Sequence, residues 1–316
     1  MREPPAEVLR AFGLGSEELR PGSPEGRAWL AGRAVLKRRR LPGPEAGLRW
    51  EAELREAAAR AGWPTARAIP AADGVPAIDS GGWAWTCEER LPGAPRELTT
   101  VAAWRIAGRL LGRLHRDLAA ADPGIQRPGL GKAWELDVLT DSAGAGTFNR
   151  LVAAFGREYP ELAAAIRRER YRNLRELARL GYPELPEQPV HGDFSAKNLL
   201  WAEGELSGLV DWEFARRDAA LCDLAPLLMP FGPLEPHYAR ALFEGYAAVR
   251  PVSNQEFGLL PALVRASLLW WVAVELVRWR LEGGSPERIA RTVQVRFPAF
   301  ERYALELGFL RENVRG

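Results

Sequence analysis

Pro189-Val190-His191-Gly192-Asp193-Phe194-Ser195-Ala196-Lys197-Asn198-Leu199-Leu200, followed by Leu209-Val210-Asp211-Trp212-Glu213, is the stretch on which the reading of this chain turns. Asn198–Trp201 and Leu206–Val210 are short apolar runs on either side of Ala202-Glu203-Gly204, the signature of a β-hairpin. Asn198 opens the first strand and Asp211 closes the second, so the hairpin sets them side by side. A carboxylate and a neutral amide oxygen suit a hard cation such as Mg²⁺. Asp193, in the loop before the hairpin, is placed to act as a base. Phosphoryl transfer from a nucleoside triphosphate needs such a base, oxygen ligands for the metal and a cation at the donor. Ser195 is a poor nucleophile candidate, since no G-x-S-x-G surrounds it.

Outward from this stretch, the chain changes character along its length. Upstream it reads as strands around one helix. Arg27–Leu30 and Arg33–Arg38 form an expected hairpin about Ala31-Gly32, and Ala66–Ile69 and Val75–Ile78 flank an Asp73-Gly74 turn. Trp83–Glu89 is a further strand. Leu48–Ala61 is helical, with Trp50, Leu54, Ala57, Ala58 and Ala61 on one face. After the Leu91-Pro92-Gly93 turn the pattern is helical. Val101–Leu118 carries a stripe of Trp104, Ala107, Leu110, Leu114 and Leu118, and Tyr171–Leu180 and Gln255–Leu281 are the other clear helices. The expectation is an α+β, two-lobed protein: residues 1–91 a small sheet lobe with one helix, residues 92–316 a larger helical lobe. Ligands favour the cleft between such lobes.

Composition narrows the function. The chain has 316 residues with 12 Trp and 11 Phe, enough for a sizeable core and unlike a disordered chain. A net charge of +2 argues against a nucleic-acid or membrane partner, and against a basic nucleic-acid binder built on Arg38–Arg40. Cys87 and Cys222 make neither a disulfide framework nor a zinc pattern. The N-terminus has no apolar signal core, and the apolar stretch from Ala262 to Trp279 is interrupted by Arg265, Glu275 and Arg278, so it reads as a buried helix too short and too charged to span a bilayer. The expected location is the cytoplasm. Basic residues are nearly all Arg, with Lys37, Lys132 and Lys197 the lysines, which lends each lysine weight.

The H-x-D-x-x-x-x-N pattern matches the catalytic loop of kinases. With Gly192 in second place it resembles the loop of aminoglycoside phosphotransferases and their relatives, among them choline, homoserine and fructosamine kinases. Asp211-Trp212-Glu213 resembles that family's aspartate-tryptophan-acidic motif. The resemblance implies a protein-kinase-like fold and an ATP- or GTP-dependent kinase that phosphorylates a hydroxyl of a small molecule. It implies Asp193 as base, and Asn198 and Asp211 as magnesium ligands. Leu221-Cys222-Asp223-Leu224-Ala225 resembles the segment whose aspartate braces the catalytic loop; a helix N-cap is the other reading of Asp223. His191 is expected to brace the loop through backbone hydrogen bonds. Leu110–His115 resembles the family's Leu-x-x-Leu-His helix end.

Further upstream, Ala34-Val35-Leu36-Lys37 resembles the strand whose lysine pairs the α- and β-phosphates. Glu51 is expected to pair with Lys37, with Glu53 as the fallback. Glu88–Gly93 resembles the hinge whose main chain bonds the purine, through Glu89 and Leu91. Lys197 is a second candidate cation for the γ-phosphate, with a surface lysine as the other reading. No G-x-G-x-x-G is present; Gly22–Gly26 stands at about that place. That gap leaves a catalytically inactive nucleotide-binding pseudokinase as the alternative. A protein kinase is disfavoured, because no Ala-Pro-Glu segment follows Asp211. No dense acidic cluster for a polycationic aminoglycoside is present, and Trp270, Trp271 and Trp279 read as core.

Overall fold

The computed structural model describes residues 3–16, 19–23, 26–40, 45–229, 232–308 and 310. Pro24 and Glu25 of the expected phosphate-covering loop lie outside them. In chain order the strands are β1 (Leu19–Pro21), β2 (Ala28–Ala31), β3 (Ala34–Arg39), β4 (Ala68–Ile69), β5 (Ile78–Ser80), β6 (Trp83–Glu89), β7 (Ala94–Pro95), β8 (Glu187–Val190), β9 (Leu199–Ala202), β10 (Glu205–Leu209) and β11 (Arg216–Ala219). The helices are α1 (Ala6–Ala11), α2 (Glu45–Arg60), α3 (Val101–Ala120), α4 (Leu136–Ser142), α5 (Phe148–Phe155), α6 (Pro160–Arg179), α7 (Leu221–Leu227), α8 (Pro236–Ala247), α9 (Asn254–Glu282), α10 (Pro286–Arg291) and α11 (Phe297–Glu306). Residues 1–96, 127–129 and 197–213 form one compact unit, and the rest of the chain forms a second.

The first unit is built on an antiparallel sheet ordered β1-β2-β3-β6, with β4 and β5 both on the outer edge of β6. Strand alternation sorts its two faces. Ala34 and Leu36 of β3 face the same way as Trp29, Trp85 and Cys87, and pack with Val8 and Leu9 of α1 and Phe12 just after it into one apolar cluster. Lys37 and Arg39 point to the other face, where α2 lies with Leu48, Trp50, Leu54 and Ala58 buried. The expected turn at Asp73-Gly74 is present, with the Gly74 N–H donating to the Ala71 carbonyl at 2.8 Å, and the strands on either side of it both pair with β6.

Strands β9 and β10 form the expected hairpin. Glu203 (φ 53°) and Gly204 (φ 89°) are both left-handed, as a two-residue type I′ turn requires. The division drawn from sequence gave this hairpin to the helical part; its contacts give it to the first unit. Strand β9 pairs with β7, the Leu209 N–H donates to the Pro64 carbonyl at 2.8 Å, and the Ser207 hydroxyl donates to the Pro92 carbonyl at 2.8 Å. The reason is a backbone one: an open strand edge needs partners, and β7 supplies them.

The second unit is helical, with β8 and β11 as a two-stranded ribbon. Its central helix α9 has 29 residues, starts at a Ser253/Glu256 capping box and ends at Gly283 with φ 68°. By length and composition alone this helix could cross a membrane, so the expectation that it is too short is corrected; 72% of its apolar window is buried inside the protein. Apolar residues on every face match a helix covered on every side. Trp270 and Trp271 pack edge-on against Phe214, and Trp279 against Phe155, as core residues. Glu275 pairs with Arg278 at 2.6 Å. Helices α3 and α8 nearly touch through glycine. A methyl on Gly108 would lie 2.0 Å from the Leu242 carbonyl oxygen, and one on Gly245 would lie 2.1 Å from that of Arg105.

Candidate active site

In the second unit the His191-Gly192-Asp193 loop follows β8 and is held by one buried carboxylate. Asp223, in the first turn of α7, accepts the His191 and Gly192 backbone N–H groups at 2.7 Å each. It also meets His115 Nε2 at 3.2 Å, and His115 Nδ1 lies 2.8 Å from the Tyr246 hydroxyl. Asp223 is therefore no N-cap; that position belongs to Ala220. Burial alone would raise the Asp223 pKa, but the His115 hydrogen bond and charge hold it below the ordinary value. The His191 ring accepts the Asp193 N–H at 3.3 Å through Nδ1. Gly192 has φ 82°, and a methyl there would lie 2.0 Å from the Phe214 carbonyl oxygen, so no other residue fits between His191 and Asp193. Asp193 itself is 9% exposed.

In the first unit the hairpin ends meet as its spacing implies. The Val210 N–H donates to the Asn198 carbonyl at 3.0 Å, which sets Asn198 beside the residue preceding Asp211. Asn198 closes a 3₁₀ turn, Ala196–Asn198, and Lys197 within it is exposed. Lys37 Nζ lies 3.6 Å from Asp211 Oδ1. One carboxylate and one amide oxygen fit Mg²⁺, which holds on to several waters and takes phosphate oxygens rather than a full protein cage. Among the described residues no cluster of three or more His, Cys, Asp or Glu forms a denser metal cage.

The expected pairing of Lys37 with Glu51 is corrected. Lys37 Nζ meets Glu88 Oε1 of β6 at 2.6 Å, and Glu88 Oε2 takes Arg55 of α2 at 3.0 Å. Burial would lower the Lys37 pKa, but Glu88 and Asp211 together raise it above its ordinary value, so the ammonium form is favoured. Glu51 is 2% exposed and bonds Arg39 at 2.8 Å and Arg127 at 2.9 Å. Burial raises its pKa and the two guanidiniums more than offset this, leaving it well below the carboxylate range. Glu53, the fallback, is exposed on α2. The geometry is forced by β3. Lys37 and Arg39 share a face two residues apart, and Glu88 projects from the same face of the paired strand. Sequence reasoning missed Glu88, Arg39, Arg55 and Arg127. Strand alternation could have found the first two; nothing in the spacing points to Arg127.

At the hinge, the Glu89 N–H donates to the Arg67 carbonyl at 2.9 Å, and its side chain pairs with Arg67 at 2.7 Å. The Glu89 N–H is therefore taken within the sheet, which leaves its carbonyl as the main-chain group at that position; Leu91 is half-buried beyond the strand end.

Homoserine kinase of Phenylobacterium zucineum is 34% identical over 194 residues, 60% of this chain and 56% of that protein. Homoserine kinase of Xanthobacter autotrophicus is 34% identical over 200 residues, with the same shares. The chain thus spans about half the length of these curated relatives. Among solved structures, a microcompartment-associated aminopropanol kinase superposes with a TM-score of 0.64 at 19% identity, over 96% of this chain and 97% of that one. The amicoumacin kinase hAmiN, solved with AMP-PNP, Ca²⁺ and Ami, gives 0.65 at 13% identity, over 94% and 92%. An aminoglycoside phosphotransferase from Alicyclobacillus acidocaldarius gives 0.59 at 17% identity, over 99% and 98%. These likenesses establish a shared protein-kinase-like fold. The sequence profile described as "Phosphotransferase enzyme family" (APH) matches residues 26–254, a span holding every candidate site residue, and the chain belongs to that family.

Proposed function

We propose that this protein transfers the γ-phosphoryl group of ATP or GTP, with Mg²⁺, onto a hydroxyl of a small molecule. Asp193 orients the acceptor hydroxyl and takes its proton. Asn198 and Asp211 hold the metal, Lys37 neutralises the donor phosphates, and Lys197 adds positive charge near the transferred group. The main chain at Leu91 bonds the purine, with the Glu89 carbonyl beside it. The observation that carries the reading is the convergence of Lys37 and Asp211 at 3.6 Å, in a chain of the phosphotransferase family. A cation for the phosphates and a carboxylate for the metal are needed at one place, and these two are adjacent.

Homoserine is the first acceptor to test, because the homoserine kinases are similar in sequence. Purified protein is incubated with Mg-ATP or Mg-GTP and a panel of homoserine, amino alcohols, sugars and aminoglycosides, and products are read by mass spectrometry. The expected result is a phosphorylated product from one hydroxyl-bearing class, with homoserine or a similar amino-acid alcohol favoured. Nucleotide binding without transfer to any acceptor would reject the catalytic reading in favour of an inactive nucleotide-binding protein.

A further inference from the structure

Three buried charges in the first unit have no part in the roles above. Glu51 accepts from Arg39 Nη1 at 2.8 and 3.1 Å, and from Arg127 Nη2 at 2.9 Å. Arg127 turns its other nitrogen, Nη1, to the carbonyl oxygens of Glu213 at 2.9 Å and Trp212 at 3.4 Å. These are the two residues that follow Asp211. All three charged side chains are 4% exposed or less. A buried charge cluster is a weak source of stability, since desolvation offsets much of the Coulomb attraction, and apolar residues of like volume often serve as well. Its geometry is the informative part.

Asp211 has φ 69°, a left-handed conformation that costs a non-glycine residue on the order of 1–2 kcal/mol. Such a conformation persists only where its surroundings over-determine it. On the upstream side the hairpin does this, through the bond from the Val210 N–H to the Asn198 carbonyl and one from the Trp212 indole N–H to the Leu209 carbonyl at 3.0 Å. On the downstream side the anchor is Arg127. It comes from residues 127–129, a three-residue visit to the first unit by a chain otherwise placed in the second. Helix α2 packs directly on that visit: a methyl on Gly47 would lie 2.4 Å from the Pro128 carbonyl oxygen.

We infer that Glu51 and Arg127 are positioning residues that lock the backbone around Asp211, so that its carboxylate is presented ready for the divalent cation. Glu51 fixes the guanidinium, the guanidinium fixes the carbonyls of Trp212 and Glu213, and those carbonyls fix the strained residue before them. The helix glutamate thus serves the metal ligand rather than the phosphate-binding lysine. This inference rests on the proposed role of Asp211 as a metal ligand.

The test is Mn²⁺ binding, followed by electron paramagnetic resonance in the presence of ADP, on the protein and its Arg127→Met, Arg127→Lys, Glu51→Gln and Asp211→Ala variants. ADP affinity in EDTA and far-ultraviolet circular dichroism are measured alongside. Arg127→Met and Glu51→Gln are expected to weaken Mn²⁺ binding at least tenfold, while ADP affinity in EDTA stays within twofold of the parent. Arg127→Lys keeps a charge but loses the fork, and falls between. Should Arg127→Met fail to fold, the other two variants carry the same test. Parental Mn²⁺ affinity in folded Arg127→Met, or in Glu51→Gln and Arg127→Lys together, with binding lost in Asp211→Ala, overturns the inference and leaves the metal role of Asp211 standing. No ADP-dependent Mn²⁺ binding by the parent, or binding that survives in Asp211→Ala, removes the metal role itself and the inference with it.

Discussion

Lys37 takes its carboxylate from a neighbouring strand, and α2 answers with an arginine where a glutamate was expected. Glu88 is shared between Lys37 at 2.6 Å and Arg55 at 3.0 Å, so one acid steadies a β3 cation and ties α2 to the sheet. Removing that charge leaves Asp211, at 3.6 Å, as the carboxylate paired with Lys37 among the described residues. A hydrogen bond to a charged group contributes about 1.5–3 kcal/mol, and a tenfold change in affinity is about 1.4 kcal/mol. Glu88→Gln is therefore expected to weaken ATP binding by about tenfold, measured by calorimetry, whereas Glu53→Gln leaves it unchanged. Equal affinity in Glu88→Gln and the parent would show that the pair does not prepare Lys37 for phosphate. The hairpin pair Asn198 and Asp211 was legible at this scale because spacing alone fixes which residues sit at strand ends. The Lys37 partner was not, because α2 presents Glu51 and Glu53 together and only the packed structure shows that Arg39 takes the first. Gly192 was legible as a motif member, but the Phe214 carbonyl that forbids a side chain there comes from a segment more than a strand away in sequence.

At the scale of elements, the His191-Gly192-Asp193 loop is held by three helices through one chain of polar groups. Tyr246 of α8, His115 of α3 and Asp223 of α7 are linked at 2.8 and 3.2 Å, and Asp223 passes the constraint to the His191 and Gly192 backbone. His115 is fully buried. Desolvation lowers its pKa and outweighs the opposing pull of Asp223 and Glu256, while Arg250 adds to the lowering. The folded state thus binds the imidazole proton less well than the unfolded chain does. This contribution to stability is present above the unfolded value near 6.5 and is lost as pH falls below it, by at most about 1.4 kcal/mol per pH unit. Urea midpoints measured from pH 7.5 to pH 5 should fall for the parent and fall less steeply for His115→Gln. Matching slopes would mean that His115 keeps its ordinary pKa in the fold. Helices with unbroken stripes, such as α3 and α9, were readable within a few residues. The first half of α6 and the short helices α1, α4, α5 and α8 were not, since brief or charge-rich segments owe their form to packing rather than to periodicity. The same holds for β4 and β5, whose turn was visible but whose partner strand was not.

For the whole molecule, composition and pattern pointed to a sheet-rich first part and a helical second, and to the family; they did not show that the chain returns twice. Residues 127–129 and 197–213 rejoin the first unit through backbone edges and one buried arginine, and hydropathy does not show which unit either joins. That return gathers Lys37, Asn198 and Asp211 into one unit, while Asp193 and the polar chain that braces it belong to the other. A division of labour follows for the proposed reaction: the first unit handles nucleotide and metal, and the second supplies the base. Removing the base should then abolish chemistry without touching nucleotide affinity. The decisive measurement is the rate of phosphoryl transfer by Asp193→Ala at saturating Mg-ATP and the best acceptor, with Mg-ATP affinity measured on the same preparation. The account predicts a loss of about 10²–10⁴-fold in turnover with affinity within twofold of the parent. Turnover equal to the parent's would contradict it.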